Sequence, residues 1–211
     1  FPSLTVFILT ILLFPSCEKG SNPLKPYETT EHPIIWSYNM GMHNTGSKTI
    51  PAMDTEGNIY FAVQNNSNDP ISLFAIDKTG NELWKKEFTG KLTAQIIYQE
   101  AHLYFSAQTS DSRSITWCLT SSDGEIAWAN SSQQKGGCVM AVSHNYIVTG
   151  ALSGGYVVGD EDTYELQMMD KTGEILTPIS IGNGVAAISI VGNTLYYITN
   201  HVSGTGYAKI E

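Results

Sequence analysis

Charged side chains are scarce in this sequence. Asp, Glu, Lys and Arg make up 15% of its 211 residues, and the basic share is 11 residues. With a net charge of -9 and no local cluster of Lys or Arg, the surface repels phosphate backbones, so no nucleic-acid partner is expected. Cysteine is nearly absent as well. Cys17, Cys118 and Cys138 lie far apart, with no Cys-x-x-Cys and no paired His, which excludes the usual zinc-binding patterns. The histidines at 32, 43, 102, 144 and 201 are scattered without ligand spacing. No Ser sits in a Gly-x-Ser-x-Gly elbow, and the pairs Asn183-Gly184 and Gly154-Gly155 are turn chemistry, not phosphate loops. What is plentiful is Gly, Tyr, Thr and Ser beside an apolar fraction of 42%, a mixture that favours an all-β chain with many turns over a helical bundle.

One long uncharged apolar run exists, residues 1–14. It is shorter than the ~20 residues a bilayer-spanning helix needs, but it has the length of a signal-peptide core. Leu13-Phe14-Pro15-Ser16-Cys17 resembles a bacterial lipobox, with the small Ser16 before the cysteine that would be lipidated. Residues 18–33 are polar and carry Pro23, Pro26 and Pro33, the composition of a flexible tether. The expected partner of Cys17 is therefore membrane lipid, held through buried acyl chains at ~0.8 kcal/mol per CH₂. There is no initiator Met and no basic n-region, so the sequence reads as truncated at its start.

Beyond the tether the chain repeats itself at a spacing of roughly 40–50 residues. Gly80-Asn-Glu-Leu-Trp84 recurs as Gly124-Glu-Ile-Ala-Trp128 and as Gly173-Glu-Ile-Leu-Thr177. Upstream, Asn58-Ile-Tyr-Phe61 matches His102-Leu-Tyr-Phe105, Asn145-Tyr-Ile-Val148 and Thr194-Leu-Tyr-Tyr197. Between them stand Leu73-Phe-Ala-Ile-Asp77, Thr116-Trp-Cys-Leu-Thr120, Leu166-Gln-Met-Met-Asp170 and Tyr207-Ala-Lys-Ile-Glu211. Each unit reads as four short antiparallel strands, beginning with inner strands near 50–53, 94–98, 138–143 and 185–191. That is the size of one propeller blade. The boundaries expected are a leader at 1–17, a tether at 18–33, a lone outer strand at 34–48, blades at 49–90, 91–133 and 134–182, and a partial blade at 183–211.

The segment Leu73-Phe-Ala-Ile-Asp-Lys-Thr-Gly-Asn-Glu-Leu-Trp84 resembles the tryptophan-docking segment of the PQQ-like (quinoprotein-type) β-propellers. The family pattern falls on Ala75, Asp77, Gly80 and Trp84. In the second unit Gly124 and Trp128 keep it, while Cys118 and Thr120 replace the Ala and Asp. In the third, Asp170 and Gly173 keep it and Thr177 replaces the Trp. Trp36, in Ile-Ile-Trp-Ser-Tyr-Asn at 34–39, is the same residue in the lone strand. The fold expected is all-β, a propeller of four-stranded antiparallel blades with about three and a half present. The lone strand either completes the last blade of a four-bladed ring, or the chain is an open arc from a larger ring of seven or eight blades. The missing Met and the stop in mid-blade favour the arc. The roles read for these residues are in packing: a positive-φ Gly in the turn, an Asp accepting turn amides, and an indole plate of ~150–250 Å² wedged between blades.

A quinoprotein enzyme needs a carboxylate base and a Ca²⁺ site beside its quinone. Asp160, Glu161 and Asp162 form the best acidic group, but they fall in the long loop 150–164, where a solvated tip is the simpler reading. No cofactor is expected, neither quinone nor calcium. The same loop, with Tyr156 and Tyr164 beside those acids, is the candidate ligand rim. Between Cys118 and Cys138 a disulfide is open, with two buried thiols the preferred reading. The resemblance implies a membrane-anchored, non-enzymatic scaffold or binding propeller of the bacterial cell envelope, similar in kind to lipoprotein propellers that assist outer-membrane protein assembly. Its partner would be an envelope protein or a small ligand. The alternative is a degenerate or truncated PQQ-dependent dehydrogenase.

Overall fold

In the computed structural model the described residues are 37–39, 47–135, 138–151, 164–181, 184–199 and 205–209, and no helix occurs among them. They form four antiparallel sheets that follow one another in chain order. The first holds β1 (Ser47–Lys48), β2 (Ala52–Met53), β3 (Ile59–Gln64), β4 (Ile71–Ile76) and β5 (Glu82–Phe88). The second holds β6 (Lys91–Leu92), β7 (Ile97–Gln99), β8 (His102–Gln108), β9 (Arg113–Thr120) and β10 (Ile126–Lys135). The third holds β11 (Cys138–Val142), β12 (Tyr146–Ala151), β13 (Tyr164–Asp170) and β14 (Ile179–Ile181). The fourth holds β15 (Val185–Val191), β16 (Thr194–Thr199) and β17 (Thr205–Lys209). Each sheet is a meander running from an inner strand outward, so the architecture is that of propeller blades.

Two features differ from the sequence expectation. First, the inner strands of the first two sheets are each broken into two short pieces, both paired with the second strand. Pro51 lies in the first break and has no N–H for a ladder. Thr49 repairs the ladder there: its amide donates to the Ala62 carbonyl at 3.0 Å, and its hydroxyl accepts the Ala62 amide at 2.8 Å. Second, the sequence match in the third unit is one residue out. Tyr60 pairs with Ala75 and Tyr104 with Cys118, and in the same register Met168 pairs with Val148, so Val148 and not Ile147 takes their place. An offset of one assigns each side chain to the other face. Ile147 consequently packs toward the second sheet, beside Tyr104, Cys118 and Met140, while Val148 packs toward the fourth, beside Val185 and Leu195.

The turns before the outer strands are closed by side chains. Asp77 accepts the amides of Thr79 and Asn81 at 2.8 and 3.0 Å, and Asp170 accepts those of Thr172 and Glu174 at 2.8 and 3.0 Å. In the second unit, where Thr120 stands in place of Asp, the turn is one residue longer. Asp123 takes over there, accepting the Glu125 amide at 3.0 Å and the Thr120 hydroxyl. The hydroxyl of Thr79, Thr172 or Thr120 is the main cause holding each of these carboxyls below its ordinary range, with turn amides adding to it.

The core lies between successive sheets. Tyr60, Leu73, Ala75, Trp84 and Phe88 of the first pack on Leu92, Leu103, Phe105, Trp117 and Leu119 of the second. Between second and third the buried set includes polar groups, Ser106, Thr116, Thr149 and Gln167 among them. The Ser106 and Thr116 hydroxyls bond at 2.8 Å, whereas the Thr149 hydroxyl, in a residue 1% exposed, has no hydrogen-bond partner among the described residues.

Candidate functional site

The repeated Gly and Trp residues meet across the sheets. Trp84 Nε1 donates to the Ser121 carbonyl of the second sheet at 2.9 Å, and Trp128 Nε1 donates to the Lys171 carbonyl of the third at 2.9 Å. Each acceptor is the second residue of the next unit's turn. The turn glycine lies under the indole: a β-carbon on Gly124 would stand 2.9 Å from the Trp84 ring, and one on Gly173 would stand 2.6 Å from the Trp128 ring. Gly80, Gly124 and Gly173 have φ of 93°, 69° and 84°, the left-handed region. The residue two beyond each Trp also reaches across. Lys86 Nζ meets Glu125 at 2.5 Å, and Asn130 Nδ2 donates to the Gly173 carbonyl at 2.7 Å. Ala75 is fully buried, and Cys118, at the same register position, is a free buried thiol whose pKa burial pushes up. The Cys138 side chain, Trp36 and Cys17 lie outside the described residues.

Further contacts between sheets were not read from sequence. Gln64, 2% exposed, donates from Nε2 to the carbonyls of Asp69 and Gly90, both at 2.7 Å, and accepts the Leu92 amide at 2.9 Å. One amide thus pins the first sheet to the start of the second. The signal was present: Gln108 occupies the same place, four residues beyond Tyr104. At the opposite end of the sheets, Glu100 and Ala101 form a two-residue turn with φ of 53° and 61°. The Glu100 carboxylate pairs with His144 of the third sheet, chiefly the cause of its lowered pKa. Lys171 Nζ sits 4.8 Å over the Tyr104 ring, and burial pushes its pKa down.

This docking leaves a cavity of about 380 Å³ where the inner strands converge. Thr93, Ala94 and Gln95, from the break between β6 and β7, face Val139 and Met140 of β11 and Ala186 to Ile188 of β15 across it. The walls are small and aliphatic, and Thr93 and Gln95 supply the polar groups. A groove of about 610 Å³ lies between the loops of the first and second sheets, lined by Asn68, Asp69, Gly90, Lys91, Gln108 and Ser112 among others. Gln64, bonded to Asp69 and Gly90, fixes its floor. A cavity of this make-up is suited to holding an apolar group of a ligand with a few directional hydrogen bonds, on a rigid frame.

The long loop proposed as a ligand rim joins β12 to β13. It leaves the third sheet where Ala151 pairs with Cys138, the end at which Val139 lines the cavity. Its Tyr156, Asp160, Glu161 and Asp162 lie outside the described residues. Tyr164 is described and is half-buried against the cluster of Val148, Leu166, Ile181, Val185 and Leu195. Its ring is thus engaged in packing. Among the described residues no group of three or more His, Cys, Asp or Glu is arranged to hold a metal ion.

No protein-family profile matches the chain. Over 124 residues it is 28% identical to the outer membrane protein assembly factor BamB of Legionella pneumophila (strain Paris), covering 58% of this chain and 28% of that protein. The chain thus spans less than a third of that relative's length. Among solved structures it resembles BamB from Moraxella catarrhalis, with a TM-score of 0.50 at 15% identity over 72% of this chain and 41% of that one. It resembles the Pan2 WD40 domain of Neurospora crassa with a TM-score of 0.52 at 10% identity, over 78% of this chain and 50% of that one. The designed protein Ika4 gives a TM-score of 0.58 at 15% identity, over 80% of this chain and 94% of that one. Four radial meanders and these likenesses agree: the chain is a partial β-propeller similar in sequence and fold to BamB.

Proposed function

We propose that this chain is a non-enzymatic binding scaffold of the bacterial cell envelope, exported by its leader and tethered through lipidated Cys17 to a membrane, in the outer membrane's case facing the periplasm or the outside. Residues 18–33 act as the tether and the propeller sheets as the binding body. The partner is an envelope protein or a small ligand engaged at the axial cavity. Neither quinone nor calcium takes part.

The observation that carries this reading is the cavity among the inner strands, held open by the docking of sheet on sheet in a fold shared with an outer membrane assembly factor. Function in a propeller is placed on loops and channel mouths because the packed sheets cannot move to make a site. The net charge of -9 suits a protein or ligand partner and disfavours nucleic acid.

The test is site-specific photo-crosslinking in living cells. A photoreactive residue at Gln95, an exposed position on the cavity wall, should capture a discrete envelope component. The same residue at Leu83, on the outer rim of the first sheet, should not. Equal capture at both positions, or none at Gln95, would reject the axial cavity as the binding mouth. Labelling with a fatty-acid analogue should be lost in Cys17→Ala; retained labelling would remove the tether.

A further inference from the structure

The contact between the second and third sheets departs from the one between the first and second, and it does so around one sulfur. By pairing register, Ala62 and Leu73 of the first sheet correspond to Ser106 and Thr116 of the second. Phe105 and Trp117 of the second correspond to Thr149 and Gln167 of the third. Toward the first sheet, Phe105 and Trp117 stack at 4.8 Å and 15° inside an apolar cluster. Thr149 lies two residues beyond Ile147, on the face turned to the second sheet. There the aromatic pair is replaced by Thr149 and Gln167, the aliphatic pair by Ser106 and Thr116, and all four are buried.

Met140 lies within this polar patch. It takes the inner-strand place of Ile96, is 5% exposed, and lines the axial cavity. The Ser106 hydroxyl, itself bonded to Thr116 at 2.8 Å, donates to the Met140 sulfur at 4.0 Å. Thr149 is the ladder partner of Met140, which sets their β-carbons about 4.5–5.5 Å apart on one face. Its hydroxyl has no hydrogen-bond partner among the described residues, although Gln167 pairs with Thr149 from the other side. A thioether is a weak acceptor, and a buried hydroxyl left without an acceptor is unfavourable. Two buried donors thus stand beside an atom that satisfies neither well.

We propose that Met140 is a redox-modification site, where a hydroperoxide entering the axial cavity makes a sulfoxide that Thr149 and Ser106 hold in place. The sulfur lone pair attacks one peroxide oxygen, and an S–O bond forms as the O–O bond breaks. With hydrogen peroxide, the other oxygen takes up the remaining proton and leaves as water. The sulfur loses two electrons and the peroxide gains them. The new oxygen accepts from Thr149 Oγ1 and Ser106 Oγ, and the cavity wall gains a dipole where it was apolar. The modification needs only that the cavity admits a small oxidant, so it and the binding of a partner there can fail separately.

The folded full-length protein is treated with hydrogen peroxide, and each methionine is followed by peptide mass spectrometry. Met140 should convert at least about tenfold faster than Met169, which is 2% exposed in the same cluster but not on the cavity wall. Equal rates would overturn the proposal. Melting points report whether the oxygen is held. Thr149→Val should raise the melting point of the reduced protein and lower that of the oxidised protein by a few degrees, because the sulfoxide then lacks a donor. A shift of the same sign in both forms would overturn the proposal. In a Met140→Leu background the same treatment should leave the sign of the Thr149→Val shift unchanged. A reversal there would trace the effect to another methionine and reject Met140.

Discussion

Gly173→Ala isolates the docking of one sheet on the next. Two penalties are built in. At φ of 84° an L side chain costs about 1–2 kcal/mol, because its Cβ crowds the following carbonyl. The new methyl would stand 2.6 Å from the Trp128 ring, well inside contact, so the indole must move. Moving it costs a further ~1–3 kcal/mol in overpacking. It also breaks the 2.9 Å bond from Trp128 Nε1 to the Lys171 carbonyl, worth about 1 kcal/mol. The loss comes to about 4 kcal/mol, or a melting point lower by roughly 8–16 °C in a domain of this size. Gly192→Ala is the control. Gly192 has φ of 59°, and an added Cβ there meets nothing within 4 Å among the described residues. It should lose only the backbone share, about 1 kcal/mol and roughly 2–4 °C. Thermal melts followed by far-ultraviolet circular dichroism decide the matter. Equal shifts for the two variants would mean that the indole does not lie on Gly173 in solution.

Removing the plate is the complementary experiment: Trp84→Ala should cost about 3–5 kcal/mol in urea unfolding, and an unchanged midpoint would exclude the wedge. Thr149→Val should stabilise the protein by about 1 kcal/mol, since it replaces a buried hydroxyl without a partner by a methyl of the same shape; a lower melting point would show that the hydroxyl is bonded, through water for example. The turn acids Asp77, Asp123 and Asp170 have folded pKa values below their unfolded ones. Their contribution is therefore complete above about pH 4 and is lost as pH falls below it through the folded values, and Asp77→Asn should flatten that acid limb of the melting curve.

Much of this architecture is legible in the sequence because it is written locally and repeated. A Gly that must be in a turn and a Trp four residues later on the outer strand recur together, and the structure joins each Trp to the next unit's Gly. What could not be read comes from three sources. The mismatch of one residue in the third unit lies within a run, Tyr146-Ile-Val, where neighbouring apolar residues satisfy either face, so alternation alone does not fix the match. The split inner strands depend on a Thr hydroxyl standing in for a ladder group, and nothing in Thr49 announces this apart from the Pro51 that follows. Asp123 replaces the missing Asp of the second unit by geometry, across a longer turn. Of the cavity, only its general position could be expected. Thr93 and Gln95, Val139, and Ala186 belong to three places in the sequence that share no motif, and only the convergence of inner strands brings them together.

The three interfaces are not equally strong, and the differences predict where the molecule opens. Between the first and second sheets lie Tyr60, Trp84, Phe88, Phe105 and Trp117, with the Gln64 clamp beside them. Between the second and third, Trp128 still docks, but Ser106, Thr116 and the orphan Thr149 dilute the apolar contact. Between the third and fourth, Thr177 replaces the Trp, and the packing is aliphatic, from Val148, Leu166, Ile181, Val185 and Leu195. Sheets that touch only their neighbours behave as a nearly one-dimensional array, whose local stability follows the nearest interfaces. Opening should therefore begin at the fourth sheet and move toward the first. Hydrogen exchange should show β16 amides exchanging fastest and those of β4 and β8 slowest. Uniform protection across the four sheets, or a fourth sheet that outlasts the first, would show that the missing indole plate does not set the order.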